Sequence, residues 1–118
     1  RGVVVSLFID PDPAQIHAAV DVGAHTVELH TGSYANARTE RAVARELRTL
    51  VKAGALAGEL GLKLNAGHGL TVRNLPAVAA IPGINEVNIG HSIIARAIFI
   101  GLEDAVQEIL DVLSAYSE

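Results

Sequence analysis

Hydrophobic positions along this chain switch between two spacings, and the switches lay out strand and helix four times over. Residues 3–9 (VVVSLFI) form a β-prone apolar run that ends at Asp10-Pro11. Asp12 suits a helix N-cap with Pro13 at the first helical position, and Ile16, Ala19 and Val20 then form a buried stripe until Gly23. Residues 25–30 (HTVELH) alternate as a second strand closed by Thr31-Gly32. A polar loop leads to Thr39, which can cap a long helix with Val43, Leu47, Leu50, Val51 and Gly54 on one face, followed by Gly61. The third strand, 62–66 (LKLNA), runs into Gly67-His68-Gly69, and a short helix from Thr71 or Asn74 ends at Pro82-Gly83. The fourth strand is 86–90 (EVNIG). A short apolar helix from Ser92, a break at Gly101 and an amphipathic helix with the stripe Leu102, Val106, Ile109, Leu110 and Leu113 complete the pattern.

Strands alternating with helices at this spacing imply βαβ units, a parallel sheet and one α/β segment over residues 1–118. An open, doubly wound sheet would bury both faces and read as unbroken apolar strands. Three of the strands alternate instead: Thr26, Glu28 and His30 oppose Val27 and Leu29, Lys63 and Asn65 oppose Leu62 and Leu64, and Glu86 and Asn88 oppose Val87 and Ile89. One apolar face and one polar face suit a (β/α)8 barrel, with the polar residues either paired, as in a Glu28–Lys63–Glu86 network, or lining a cavity. Four units make half of a barrel that typically takes ~250 residues. The expectation is the C-terminal half of a TIM barrel, with a short extra helix before the last one. Its N-terminal half would lie upstream or in another chain, and an Arg1 start directly before a strand, in a chain without Met, fits the former.

Composition narrows the partners. The net charge is −4 with no basic run, which disfavours nucleic acid and anionic membrane surfaces. No apolar stretch approaches the ~20 residues of a membrane span, and no signal-peptide pattern opens the chain. Cysteine is absent, which removes disulfides, thiolate zinc sites and a cysteine nucleophile, and fits a reducing cytoplasm.

Chemistry in such barrels sits at the C-terminal strand ends. Three of these ends carry histidine beside or near glycine: His30-Thr31-Gly32, Gly67-His68-Gly69 and Gly90-His91. A single Gly-His pair at a strand end reads as a turn. Two on consecutive strand ends, the second leading into a short helix, point to a phosphate held by backbone N–H groups and a helix N-terminus. This arrangement lets an acidic protein bind an anion without a cationic cluster. His68, flanked by glycines and without apolar neighbours before Leu70, is the general acid/base candidate rather than a packed core histidine. His30 is a candidate orienting partner, Glu28 is either catalytic or half of an ion pair, and His17 and His25 read as surface or packing residues. The rival chemistry is zinc or manganese held by His30, His68, His91 and Glu28, although no paired-ligand spacing supports it.

The runs SLFID (6–10), ELHTGSYA (28–35), LGLKLNAGHGLT (60–71) and NIGHSII (88–94) resemble the pyridoxine 5′-phosphate synthase family, in order and over the whole chain. The match is to the later half of that family, its fifth to eighth strands. The resemblance implies a cytoplasmic, cofactor-free condensation of 1-deoxy-D-xylulose 5-phosphate with 3-amino-2-oxopropyl phosphate to pyridoxine 5′-phosphate, inorganic phosphate and water. It implies that His68 is the proton donor and Glu28 the transition-state stabiliser. Gly69, Gly90 and His91 would bind the aminoketone phosphate. It also implies an octameric homo-oligomer. The family's other acid/base residues, a histidine and a glutamate, lie in its first half, so the segment alone is expected to be inactive. Two other readings compete: a different sugar-phosphate barrel enzyme, and a non-catalytic phosphate-binding half-barrel module.

Overall fold

The computed structural model describes residues 1–116. Its elements are β1 (Ser6–Ile9), α1 (Pro13–Asp21), β2 (Thr26–His30), α2 (Gly32–Asn36), α3 (Glu40–Glu59), β3 (Lys63–Gly67), α4 (Leu75–Ala79), β4 (Ile84–Asn88), α5 (His91–Ile100) and α6 (Leu102–Ser114). The four strands pair in parallel in the order β1-β2-β3-β4. A doubly wound sheet reverses its strand order at a switch point. The unreversed order here is the barrel pattern. Among the described residues, β1 and β4 each have one edge without a partner strand.

The helix signals act where the sequence places them. Asp12 accepts the Ala14 N–H at 3.0 Å with Pro13 opening α1, and Thr39 accepts the Ala42 N–H at 3.1 Å at the start of α3. Each cap satisfies an otherwise orphaned donor of the first turn. Val27, Leu29, Leu64 and Ala66 face the helices and pack with Ile16, Ala19, Leu50, Ala53, Ala57, Leu75, Val78 and Ile109 into one core. On the other face the rows Phe8–Glu28–Asn65–Glu86 and His30–Gly67–Asn88 run across the sheet.

Several elements differ from the pattern reading. The first strand is Ser6–Ile9 rather than 3–9, because the Val5 carbonyl already reaches the β2 start, accepting from His25 and Thr26, and Val3 and Val4 extend past it into solvent. The loop after β2 contains the one-turn helix α2. The fourth strand is Ile84–Asn88 rather than 86–90. A register shift opposite Leu64 and Asn65 lets Asn85 bulge, and Gly90 is taken up as the cap of α5, which starts at His91 rather than Ser92. On α3 the buried stripe continues through Ala53 and Ala57 and leaves Val51 exposed. On α6 only Ala105 and Ile109 are buried, while Leu102, Val106 and Leu110 face solvent.

Candidate active site

The polar inner face is organised by amides rather than by ion pairs. The expected Glu28–Lys63–Glu86 network does not form among the described residues: Lys63 sits one row below Glu28, opposite Thr26, and is exposed. Asn65 occupies the place opposite Glu28 and donates to Glu86 Oε1 at 2.9 Å, while Asn85 donates to Asn65 Oδ1 at 3.3 Å. Asn88 donates to Glu28 Oε2 at 2.8 Å. That bond crosses the position of Gly67, where a Cβ would collide with Glu28 Oε1 and stand 3.0 Å from the Asn88 carbonyl. Glycine at 67 is therefore a space requirement, and it lets the Glu28 carboxylate lie along the sheet toward the strand tips.

Above this row, the loop after β3 turns sharply. His68 has φ +89° and Gly69 has φ +74°. At Gly69 a Cβ would also come within 2.7 Å of the Ala35 Cβ, so both conformation and space require glycine. The loop is braced from outside. The buried Tyr34 hydroxyl donates to the Asn74 carbonyl at 2.7 Å, and burial pushes this phenol above its ordinary pKa. The Asn74 side chain donates to the Gly69 carbonyl at 3.1 Å and accepts the Thr71 N–H at 2.7 Å. Ser92 donates from α5 to the Leu70 carbonyl at 2.6 Å, tying the β3 loop to the β4 loop.

Between these loops lies a cavity of about 590 Å³, within the range that holds small ligands. Glu28, His68, Gly69, Gly90 and His91 all line it, together with Asn88 and Ser92. The five residues singled out from the sequence are therefore brought to one place. Gly90 caps α5, so the first N–H groups of that helix, from His91 onward, are free of helical partners at the cavity rim. No lysine or arginine lines the cavity among the described residues, so an anion there would rest on amides and imidazoles. His68 and His91 are exposed to it, which suits groups that must meet a substrate.

His30 lies one step behind. Its ring packs at a tilt against His68 with centroids 4.5 Å apart and stacks on Phe8 at 4.9 Å, and its Nδ1 accepts the Gly32 N–H at 3.0 Å. It does not line the cavity. The four-ligand alternative is not formed: the described residues contain no cluster of three or more His, Cys, Asp or Glu placed to hold one ion. His17 and His25 lie away from the rim and are exposed, and His25 Nδ1 accepts the Val5 N–H at 3.2 Å. Pattern reading missed Asn88, Thr31, Tyr34 and Asn74. Asn88 was visible as a polar inward position of the fourth strand; the other three have no signal short of knowing which loops touch.

Residues 1–115 match the family model described as pyridoxal phosphate biosynthesis protein PdxJ. Three curated relatives come from Coxiella burnetii, strains Dugway 5J108-111, RSA 331 / Henzerling II and RSA 493 / Nine Mile phase I. Each is named pyridoxine 5′-phosphate synthase and is 55% identical over 107 residues, covering 91% of this chain and 45% of the relative. The chain thus spans about half the length of the relatives it matches. It belongs to the PdxJ family.

Proposed function

From membership of this family and the chemistry of the strand-tip cavity, we propose that the chain is the C-terminal half of the barrel of a pyridoxine 5′-phosphate synthase. The intact protein condenses 1-deoxy-D-xylulose 5-phosphate with 3-amino-2-oxopropyl phosphate to give pyridoxine 5′-phosphate, inorganic phosphate and water. The observation that carries this reading is that Glu28, His68, Gly69, Gly90 and His91, which lie in three separate sequence runs, line one cavity.

In this reading His68 donates a proton to a departing oxygen during dehydration, in van der Waals reach of a His30 platform. Glu28, held by Asn88, faces the positive charge that develops on nitrogen as the carbonyl is attacked and the imine forms. Gly69, Gly90 and His91 hold the phosphate of the aminoketone through backbone N–H groups and the α5 N-terminus. No cofactor enters the reading. The bare edges of β1 and β4 are where the N-terminal half joins, in the same chain or another, and that half supplies the general base. The 118-residue segment alone therefore gives no turnover. The exposed apolar side chains of α5 and α6 support assembly into a homo-oligomer. Soluble phosphorylated substrates make the cytoplasm the natural compartment.

The test supplies both substrates to the enzyme in which this segment is joined to its complementary half, and follows the ring product by mass. Replacing His68→Asn is expected to lower kcat by about 10²–10⁴-fold while leaving the unfolding midpoint unchanged. An unchanged kcat removes His68 from the mechanism. Failure to form the pyridine ring, with turnover of another sugar phosphate, replaces the reading with that of a different barrel enzyme.

A further inference from the structure

His68 is the one described residue other than glycine with a positive φ, at +89°. A side chain with a Cβ is strained there, while glycines stand on either side at 67 and 69. Contacts from outside the loop have to hold it.

Thr31, fully buried at the end of β2, does so from below. Its Oγ1 lies 2.7 Å from the Gly67 carbonyl oxygen and 2.6 Å from that of His68, and its N–H donates to the Gly67 carbonyl at 2.9 Å. Those two carbonyls belong to the peptide planes before and after the His68 Cα. Fixing both planes fixes φ and ψ of His68. The hydroxyl has one proton, so it donates to either carbonyl while the backbone N–H keeps hold of Gly67.

The imidazole is held separately. His30 lies between Phe8 and His68, with interplanar angles of 28° and 32° to the two rings. Because His30 Nδ1 accepts the Gly32 N–H, a neutral His30 carries its proton on Nε2. Gly32 is part of the same device: a Cβ there would run into the His30 ring and stand 3.1 Å from His68 Cδ2.

We infer that Thr31 and His30 are positioning residues for His68, Thr31 locking its backbone and His30 setting the plane of its ring. Neither lines the cavity, so both act through His68 rather than on substrate. The inference rests on the reading of His68 as the proton donor.

Thr31→Val keeps the shape and removes the hydroxyl; Thr31→Ser restores it. In the enzyme joined to its complementary half, Thr31→Val is expected to reduce kcat by about tenfold or more with KM for both substrates within about twofold, and Thr31→Ser to recover most of the loss. A folded Thr31→Val enzyme with wild-type kcat overturns the role of Thr31. Should that variant not fold, the imidazole nitrogen spectrum of the unsubstituted enzyme joined to its complementary half decides. His30 protonated on Nε2, with His68 ring protons shifted by the neighbouring ring, supports the device. The opposite tautomer, or unshifted His68 protons, overturns it. The spectrum involves no turnover, so the positioning device can fail while His68→Asn still lowers kcat, and the proposed reaction can fail while the geometry stands.

Discussion

At the strand-tip rim Glu28, Asn88, Asn74 and Ser92 find hydrogen-bond partners within the chain; on the α5–α6 hairpin beside it, most large apolar side chains stay open. Among the described residues no buried side-chain nitrogen or oxygen lacks a hydrogen-bond partner. On the hairpin, Ile98 and Phe99 are 80% and 82% exposed, and Ile94, Leu102 and Leu110 are also largely open. Only the inner side of the hairpin, Ala105 and Ile109, is buried. The contrast shows that the frame around the candidate site is hydrogen-bonded within the chain, with the His68 and His91 rings left facing the cavity, while the neighbouring helices are not fully buried. A hydrogen bond needs one correctly placed atom, which an adjacent strand can supply. Burying a helix face needs opposing area.

The largest effect should come from breaking the rim. Gly67→Ala puts a methyl where the Glu28 carboxylate lies and beside the Asn88 backbone, and is expected to cost about 3 kcal/mol of unfolding free energy in urea. A change below about 0.5 kcal/mol would mean that Glu28 has another place to go, and that the rim is less fixed than the bond to Asn88 suggests. On the hairpin the same measurement should give almost nothing. Ile98→Ser with Phe99→Ser is expected to alter the stability of the chain by less than about 0.5 kcal/mol, yet to reduce its self-association in sedimentation. A core-sized loss would show that this face is already packed, and would erase the comparison.

The smallest effect is electrostatic. Arg96 forks onto Glu108 across the hairpin with contacts of 3.1 and 3.0 Å, and the guanidinium holds this carboxyl below its ordinary pKa. A depressed carboxylate contributes above its unfolded pKa and loses that contribution as pH falls through the folded one. Amide protection factors in α5 and α6, corrected for the intrinsic pH dependence of exchange, should therefore fall slightly as pH drops through and below the carboxylate range, and Glu108→Gln should remove the dependence. The pair is exposed, so added salt should blunt it. A dependence that persists in Glu108→Gln would assign it to another carboxylate.

The fold was largely legible because its signals are local. Asp12 and Thr39 act as caps on N–H groups two and three residues away, Pro13 opens α1 with a φ already suited to helix, and the alternation of Val27 and Leu29 with Glu28 decides which face meets the helices. The meeting of the candidate site residues was legible for a related reason. Parallel strands all end on the same side, so strand-end residues such as His68 and Gly90 share an edge before any contact is known. What failed was partner choice. Lys63 and Glu28 have the right charges, but the β2–β3 register sets Asn65 opposite Glu28 and leaves Lys63 in solvent. The α6 stripe held only in part: Ile109 is buried and Leu113 packs against the core, while Leu102, Val106 and Leu110 have the right period but stay exposed.

The sequence by itself determined the order of strands and helices, the polarity of the two sheet faces and which residues stand at the strand tips, because period, capping and glycine placement act over a few residues. Only the tertiary structure decided that Glu28 is held by Asn88, that Thr31 pins both peptides of His68, and that His30 rather than a charge backs the imidazole. These contacts join residues 36 to 60 positions apart, and their geometry comes from strand register and loop path, which composition and spacing leave free.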